Sequence, residues 1–277
     1  MRKISVWELL LERHFFEDRK EAESWILMGK VFINGVRVDK CGSAVSPGAD
    51  IMIKGYDMKY VSKGGLKLEG ALRDFQMNIN GWVAIDAGAS TGGFTDCLLQ
   101  HGAAQVYAVD VGYGQLAGRL RLDSRVVNME KVNISDINAE KLDPVPVLGT
   151  VDLSYLSLKK AIPVFAAIQR EKGELLCLVK PLFEVEDSQI RRTGQLEDPK
   201  VFKEILQNLV AYIDASGYKT VGITNSAVTG NKGTREFFIR VKLDTEALLD
   251  KDITPLALKN QIDRAVALAM ELERYRK

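Results

Sequence analysis

The chain has 277 residues, 46% apolar and 27% charged, with a formal net charge of +1, which suits one large domain plus a small one. The longest apolar runs, 161–168 and 175–179, are far short of the roughly 18 residues a membrane span requires. Scattered Cys41, Cys97 and Cys177, with His14 and His101 as the only histidines, argue against a disulfide framework, a histidine base or a metal centre.

Residues 1–55 read as a compact α+β unit. Residues 6–11 begin a helical pattern in which Glu8, followed by Glu12 and Arg13, interrupts any secretion-signal core, so a reducing cytoplasm is the expected location. A turn at 15–18 precedes a second helix from Arg19 to Met28, with Ala22, Trp25 and Ile26 at helical spacing and Gly29 as its stop. Residues 31–38 carry the Asn34-Gly35 hairpin signal, and 51–54 read as a strand after the Pro47-Gly48 turn. This order resembles the ribosomal-protein-S4-like RNA-binding domain, through Arg19-Lys20-Glu21-Ala22, Gly29-Lys30-Val31-Phe32-Ile33-Asn34-Gly35 and Val38-Asp39-Lys40. The resemblance implies that Arg19, Lys20 and the loop near Lys30 face structured RNA, where cations neutralise phosphates and shape is read. Because net charge is near zero both overall and over residues 1–60, any such signal is local.

Residues 56–60 are the expected linker, and 61–277 the second domain. Ser62 is placed to cap a helix from about Gly65, with Leu66, Leu68, Ala71 and Leu72 packing on a sheet. Lys67 falls in its first turns. From residue 82 the pattern is strand then helix, repeated, which predicts a doubly wound, mostly parallel α/β sheet. Strands are expected at 83–86, 105–110, 126–130, 147–153 and 174–179. Asp198-Pro199 opens a helix to Ala215 that Gly217 closes; 219–226 and 236–243 then form an antiparallel closing pair, and 254–275 a terminal amphipathic helix.

The first strand runs into Asp86-Ala87-Gly88-Ala89-Ser90-Thr91-Gly92-Gly93-Phe94, a Gly-rich turn opening a helix. Such a turn lets backbone approach a nucleotide closely. Asp110 follows Asp86 by 24 residues, near the spacing of about 20 for a carboxylate on ribose hydroxyls. Glycines alone do not separate a dinucleotide from S-adenosylmethionine. The acid at Asp86 disfavours pyrophosphate and suits a sulfonium and an α-ammonium group, so S-adenosylmethionine is the expected cofactor.

Asp86 to Asp96, with Asp110-Val111-Gly112-Tyr113-Gly114-Gln115-Leu116, resembles the TlyA (haemolysin A) family of FtsJ-like rRNA 2′-O-methyltransferases, which carry an S4-like N-terminal domain. The resemblance spans nearly the whole chain. It implies a Rossmann-like methyltransferase sheet, a ribosomal RNA or ribosomal-subunit partner, and a Lys-Asp-Lys-Glu tetrad at Lys67, Asp152, Lys180 and Glu236. Lys180 would hold the ribose 2′-OH or take its proton, Asp152 and Glu236 would fix the two lysines, and Lys67 would assist orientation or bind phosphate. Carried over as cofactor contacts are Asp86, Gly88, Ser90, Gly92, Gly93 and Phe94 at the methionine end, Asp110 on the ribose, and Glu130 beside the adenine. Lys63 stands where the family usually has Arg and is expected to meet RNA. Leu182 replaces a usual Gln, Gly118 a usual aromatic, and Gly233-Thr234-Arg235 a usual Gly-Asn before the Glu. The competing expectations are a membrane-active haemolysin and a non-catalytic RNA-binding or ribosome-assembly factor that keeps the fold.

Overall fold

A computed structural model describes residues 3–273, except 14, 17, 55–58, 155, 186–187, 194–195 and 245–252. Most of the expected linker, and the last residues of the expected terminal helix, therefore lie outside the described residues. The first elements are β1 (Ile4–Ser5), α1 (Val6–Glu12), α2 (Arg19–Leu27), β2 (Val31–Ile33), β3 (Val36–Arg37), β4 (Ala44–Val45) and β5 (Ile51–Ile53). Ser5 and Glu8 form a capping box on α1, and Asp18 caps α2 by accepting from the Glu21 amide. Asn34 and Gly35 take φ of 49° and 77°, the left-handed pair that a two-residue hairpin demands. The β2–β3 hairpin forms accordingly, and β5 adds to the other edge of β2. Val6, Leu9, Leu10, Ala22, Ile26 and Val31 close a core that belongs to this module alone.

The larger part contains α3 (Gly64–Asp74), β6 (Val83–Ala87), α4 (Gly93–Gln100), β7 (Gln105–Asp110), α5 (Gly118–Arg121), β8 (Val126–Glu130), β9 (Leu148–Val151) and α6 (Leu158–Ile168). It continues through β10 (Glu174–Val179), α7 (Pro181–Glu184), α8 (Ser188–Thr193), α9 (Pro199–Ala215), β11 (Lys219–Asn225), β12 (Phe237–Lys242) and α10 (Pro255–Glu271). Seven strands form one sheet in the order β11-β12-β10-β9-β6-β7-β8. The five strands from β10 to β8 are parallel, and β12 lies antiparallel between β10 and β11. This is the doubly wound α/β sheet with an antiparallel closing strand that the alternation predicts. One face is covered by α6, α9 and α10 through Phe165, Leu206 and Val266; the other by α3 and α4 through Leu68, Leu72 and Leu98.

Adjacent β6 and β9 send the chain in opposite directions, to β7 on one side and β10 on the other. Open α/β sheets bind ligands at the carboxyl ends of such a pair. No described helix is long and apolar enough to cross a membrane. The expected Ser62 cap does not form. Helix α3 starts earlier, with Lys63 in the cap position and no side-chain cap, while Ser62 turns toward Gly93, where a Cβ would overlap its hydroxyl.

Candidate active site

The turn after β6 is a rigid cradle. Gly88 and Gly92 have φ of 81° and 95°, and Ser90 is left-handed at 47°. A Cβ on Gly88 would overlap the Asp152 carbonyl, so glycine is what lets the ends of β6 and β9 meet. The Gly88 and Ala89 amides donate to Val109 O, and the Ser90 amide donates to Asp110 Oδ2 at 2.8 Å. These amides are satisfied inside the protein, so at these positions the cradle offers shape and not free N–H donors. Asp110 also accepts from Gly112 N at 2.7 Å, which ties the end of β7 to both loops. Glu130 does the same at the end of β8, accepting from the Gln115 and Leu116 amides at 2.7 and 3.1 Å. Burial pushes the Glu130 carboxyl up, but the amides of Leu116 and Gln115 and the Asn128 side chain outweigh it and hold it low.

Asp86 is not at the cradle surface. It is completely buried, accepting hydroxyls from Thr95 at 2.7 Å and from Thr150 at 2.8 Å. Burial is the main cause that raises its pKa to about 7, against the two threonines. Its expected direct contact with a cofactor is therefore corrected: the β6 pleat aims it at α4 and β9, and it braces the cradle from behind. Gly93 and Phe94 begin α4, with Phe94 buried against Phe238.

Four charged side chains converge at the carboxyl ends of β6, β9 and β10 in two pairs. Lys67 Nζ lies 2.6 Å from Glu236 Oε2, their side chains only 8% and 6% exposed. Lys180 Nζ lies 2.5 Å from Asp152 Oδ1 and donates to Ser154 Oγ at 3.1 Å. Burial alone would lower the Lys67 pKa; the charges of Glu236 and Asp152 and the Glu236 hydrogen bond reverse this, so Lys67 stays an ammonium. Both pairs line one cavity of about 480 Å³ with Gly88, Ser90 and an apolar wall of Leu182, Phe183 and Leu196. That volume lies within the range of small-ligand pockets.

The sequence-derived set thus divides. Lys67, Asp152, Lys180, Glu236, Gly88 and Ser90 share the cavity; Gly93 and Phe94 line an adjoining niche; Asp110 and Glu130 hold the loops beside it; Gly92 lies under the Leu120 side chain. Lys63 lines that same niche beside the cradle. It is 3% exposed and reaches Gly230 O at 3.5 Å, because the first turn of α3 faces the 229–236 loop instead of solvent. On the N-terminal module, Lys20 is exposed; Arg19 pairs with Glu23 and lies 4.4 Å over Trp7, and Lys30 lies 4.7 Å over Trp25. Sequence reading missed Thr95 and Thr150 as the partners of Asp86, and Ser154 as a partner of Lys180. The register of β6 with β9 places Asp86 opposite Thr150, and the first turn of α4 brings Thr95 to its other oxygen.

Residues 60–243 match the family model described as FtsJ-like methyltransferase. A Bacillus subtilis relative that carries the provisional name rRNA methyltransferase YqxC is 41% identical over 84% of this chain and 83% of its own. The 16S/23S rRNA (cytidine-2′-O)-methyltransferase TlyA of Mycobacterium tuberculosis is 34% identical over 93% of this chain and 95% of its own. Among solved structures, a Streptococcus thermophilus protein with a provisional hemolysin name superposes with a TM-score of 0.77 at 35% identity, covering 97% of this chain and 96% of that one. With the family match spanning most of the chain, and two charge pairs gathered where a methyltransferase sheet opens, this protein belongs to the FtsJ-like methyltransferase family.

Proposed function

We propose that the chain is an S-adenosylmethionine-dependent 2′-O-methyltransferase of ribosomal RNA, with a cytidine ribose as acceptor. The N-terminal module of residues 1–55 is read as an S4-like RNA-binding domain, residues 56–60 as a linker, and the cytoplasm as the place of action. One observation carries the reading: Lys67–Glu236 and Lys180–Asp152 meet in a single cavity that also contains Gly88 and Ser90 of the cradle. The residues fit the cofactor. Gly88 and Ser90 of the left-handed turn line the cavity, and acids stand at the ends of β7, β8 and β9. S-adenosylmethionine, when bound, supplies an electrophilic methyl group on a positively charged sulfur.

The chain's own residues then have to hold and activate a ribose hydroxyl. Lys180 is anchored by Asp152 and Ser154 in geometry suited to grip the 2′ oxygen, and the Lys180–Asp152 pair would receive the hydroxyl proton; the cofactor would supply the methyl group and keep the sulfur–carbon bonding pair as a neutral thioether. Lys67, kept charged by Glu236, stabilises negative charge developing on that oxygen without acting as a base. Fixing both partners supplies much of the rate. The Leu182–Phe183 wall offers apolar surface for the base of the target nucleotide. The test is methyl incorporation into ribosomal RNA by the full chain and by Lys180→Ala, with cofactor binding followed in parallel. The expected result is lost incorporation with binding retained; unchanged incorporation by Lys180→Ala would overturn the assignment.

A further inference from the structure

The N-terminal module touches the methyltransferase sheet at a point that bears on the cradle. Its loop 46–50, between β4 and β5, rests on α5. This helix has only four residues, and Ala117, in its cap position, provides no side-chain acceptor. Asp50 fills that place from the other module, its Oδ1 accepting from Arg119 N at 3.3 Å. Arg121 returns a bond, donating from Nη2 to Gly48 O at 3.1 Å. Missing side chains make the approach possible: a Cβ on Gly118 would lie 3.0 Å from Asp50 Oδ1, and one on Gly48 only 2.6 Å from Gly114 O. Arg13, buried at the end of α1, donates to Pro47 O and holds the loop from its own side.

The opposite face of α5 and the residues leading into it press on the cradle. Ala117 N donates to Thr91 O at 3.2 Å, and Leu116 and Leu120 cover Gly92 so closely that a Cβ there would overlap Leu120. Arg119 also reaches Asp96 Oδ2, at 2.5 Å, in the first turn of α4. A single turn of helix is not stable by itself, so its position depends on what caps and covers it. We propose that Asp50 is a positioning residue of the cofactor cradle, capping α5 from the N-terminal module so that Ala117, Leu116 and Leu120 hold the Gly88–Gly93 turn in place.

This rests on reading that turn as an S-adenosylmethionine site, and the test separates the two. Binding of S-adenosylmethionine to the full chain is measured by calorimetry, and hydrogen exchange at residues 90–93 and 117–121 is followed without cofactor. Asp50→Ala is expected to weaken binding about fivefold or more, the lower end of coupling between sites, and to speed exchange at both segments. Asp50→Asn keeps an acceptor oxygen and is expected to stay within about twofold of wild type. Arg121→Ala is expected to move both readouts in the same direction as Asp50→Ala, and it decides the matter should Asp50→Ala fail to fold. Wild-type binding and exchange in these variants would overturn the coupling. Absence of binding in the wild type would instead overturn the cofactor reading, leaving exchange to judge the role of Asp50.

Discussion

Glu236→Ala strands a charge that is almost wholly buried. The Lys67 and Glu236 side chains are 8% and 6% exposed and 2.6 Å apart, whereas those of Arg19 and Glu23 are 61% and 31% exposed. An exposed helical pair of the second kind is worth about 0.3–0.5 kcal/mol. Removing one partner of a buried pair costs ~3–5 kcal/mol, because the survivor must sit uncompensated or lose its charge. Glu236→Ala and Lys67→Met should each show a loss of that order in urea unfolding followed by circular dichroism at neutral pH. In melting temperature this is on the order of 10 °C for a domain of this size. The double variant Lys67→Met/Glu236→Leu removes both charges and fills their volume, so it should return to within about 1 kcal/mol of wild type. It should not recover methyl transfer. Single variants that each cost less than about 1 kcal/mol, or a double variant as unstable as the sum of the two, would refute the claim that the pair is buried and mutually dependent.

Asp86 predicts the shape of the stability profile. Its carboxyl is raised from 3.8 to about 7 by burial, so between those values the folded chain binds more protons than the unfolded one. Stability from this group is full at low pH, declines as pH rises through the window, and levels off above it. The shift corresponds to up to ~4 kcal/mol at about 1.4 kcal/mol per unit. Asp86→Asn should flatten that decline in melts taken across pH 4–8; an unaltered slope in the variant would sink the assignment. Gly230→Ala tests the geometry around the buried pair, since its Cβ would overlap Glu236 Oε1. Displacing Glu236 should lower kcat on the order of tenfold to a hundredfold, with cofactor affinity unchanged. Steady-state kinetics showing a wild-type kcat would refute it.

The strands at 105–110 and 174–179 were legible to the residue because strands of a parallel sheet present nearly continuous apolar runs between turn residues. Asp198-Pro199 and Gly217 marked α9 equally well, since capping chemistry is local. The ladder of β1 with β4 was not legible, because two-residue strands carry no alternation. Helix α6 was hidden by its internal Pro163, and α7 by its brevity, though Pro181 directly after Lys180 is a start signal. The tetrad was found through motif resemblance, but its pairing was not. Which lysine meets which acid depends on strand order, which brings β9 beside β10 and β12 on its far side. The inward turn of Lys63 and the burial of Asp86 are also long-range facts, fixed by what packs over each residue.

The unequal burial of the two pairs bears on how the proposed chemistry is divided. Lys180 and Asp152 are 19% and 23% exposed, roughly three times the values for Lys67 and Glu236. A deeply buried pair keeps its charge and position, since trading its contact for water is costly. A more open pair can trade one of its contacts for a substrate hydroxyl at little cost, and it can return a proton to solvent. On the proposed reading, Lys67 and Glu236 set the field of the cavity while Lys180 and Asp152 meet the nucleophile. The resemblance already implies different roles for the two lysines. Their different depths agree with that division, because Lys180 is the more open of the two and the better placed to change partners during a reaction.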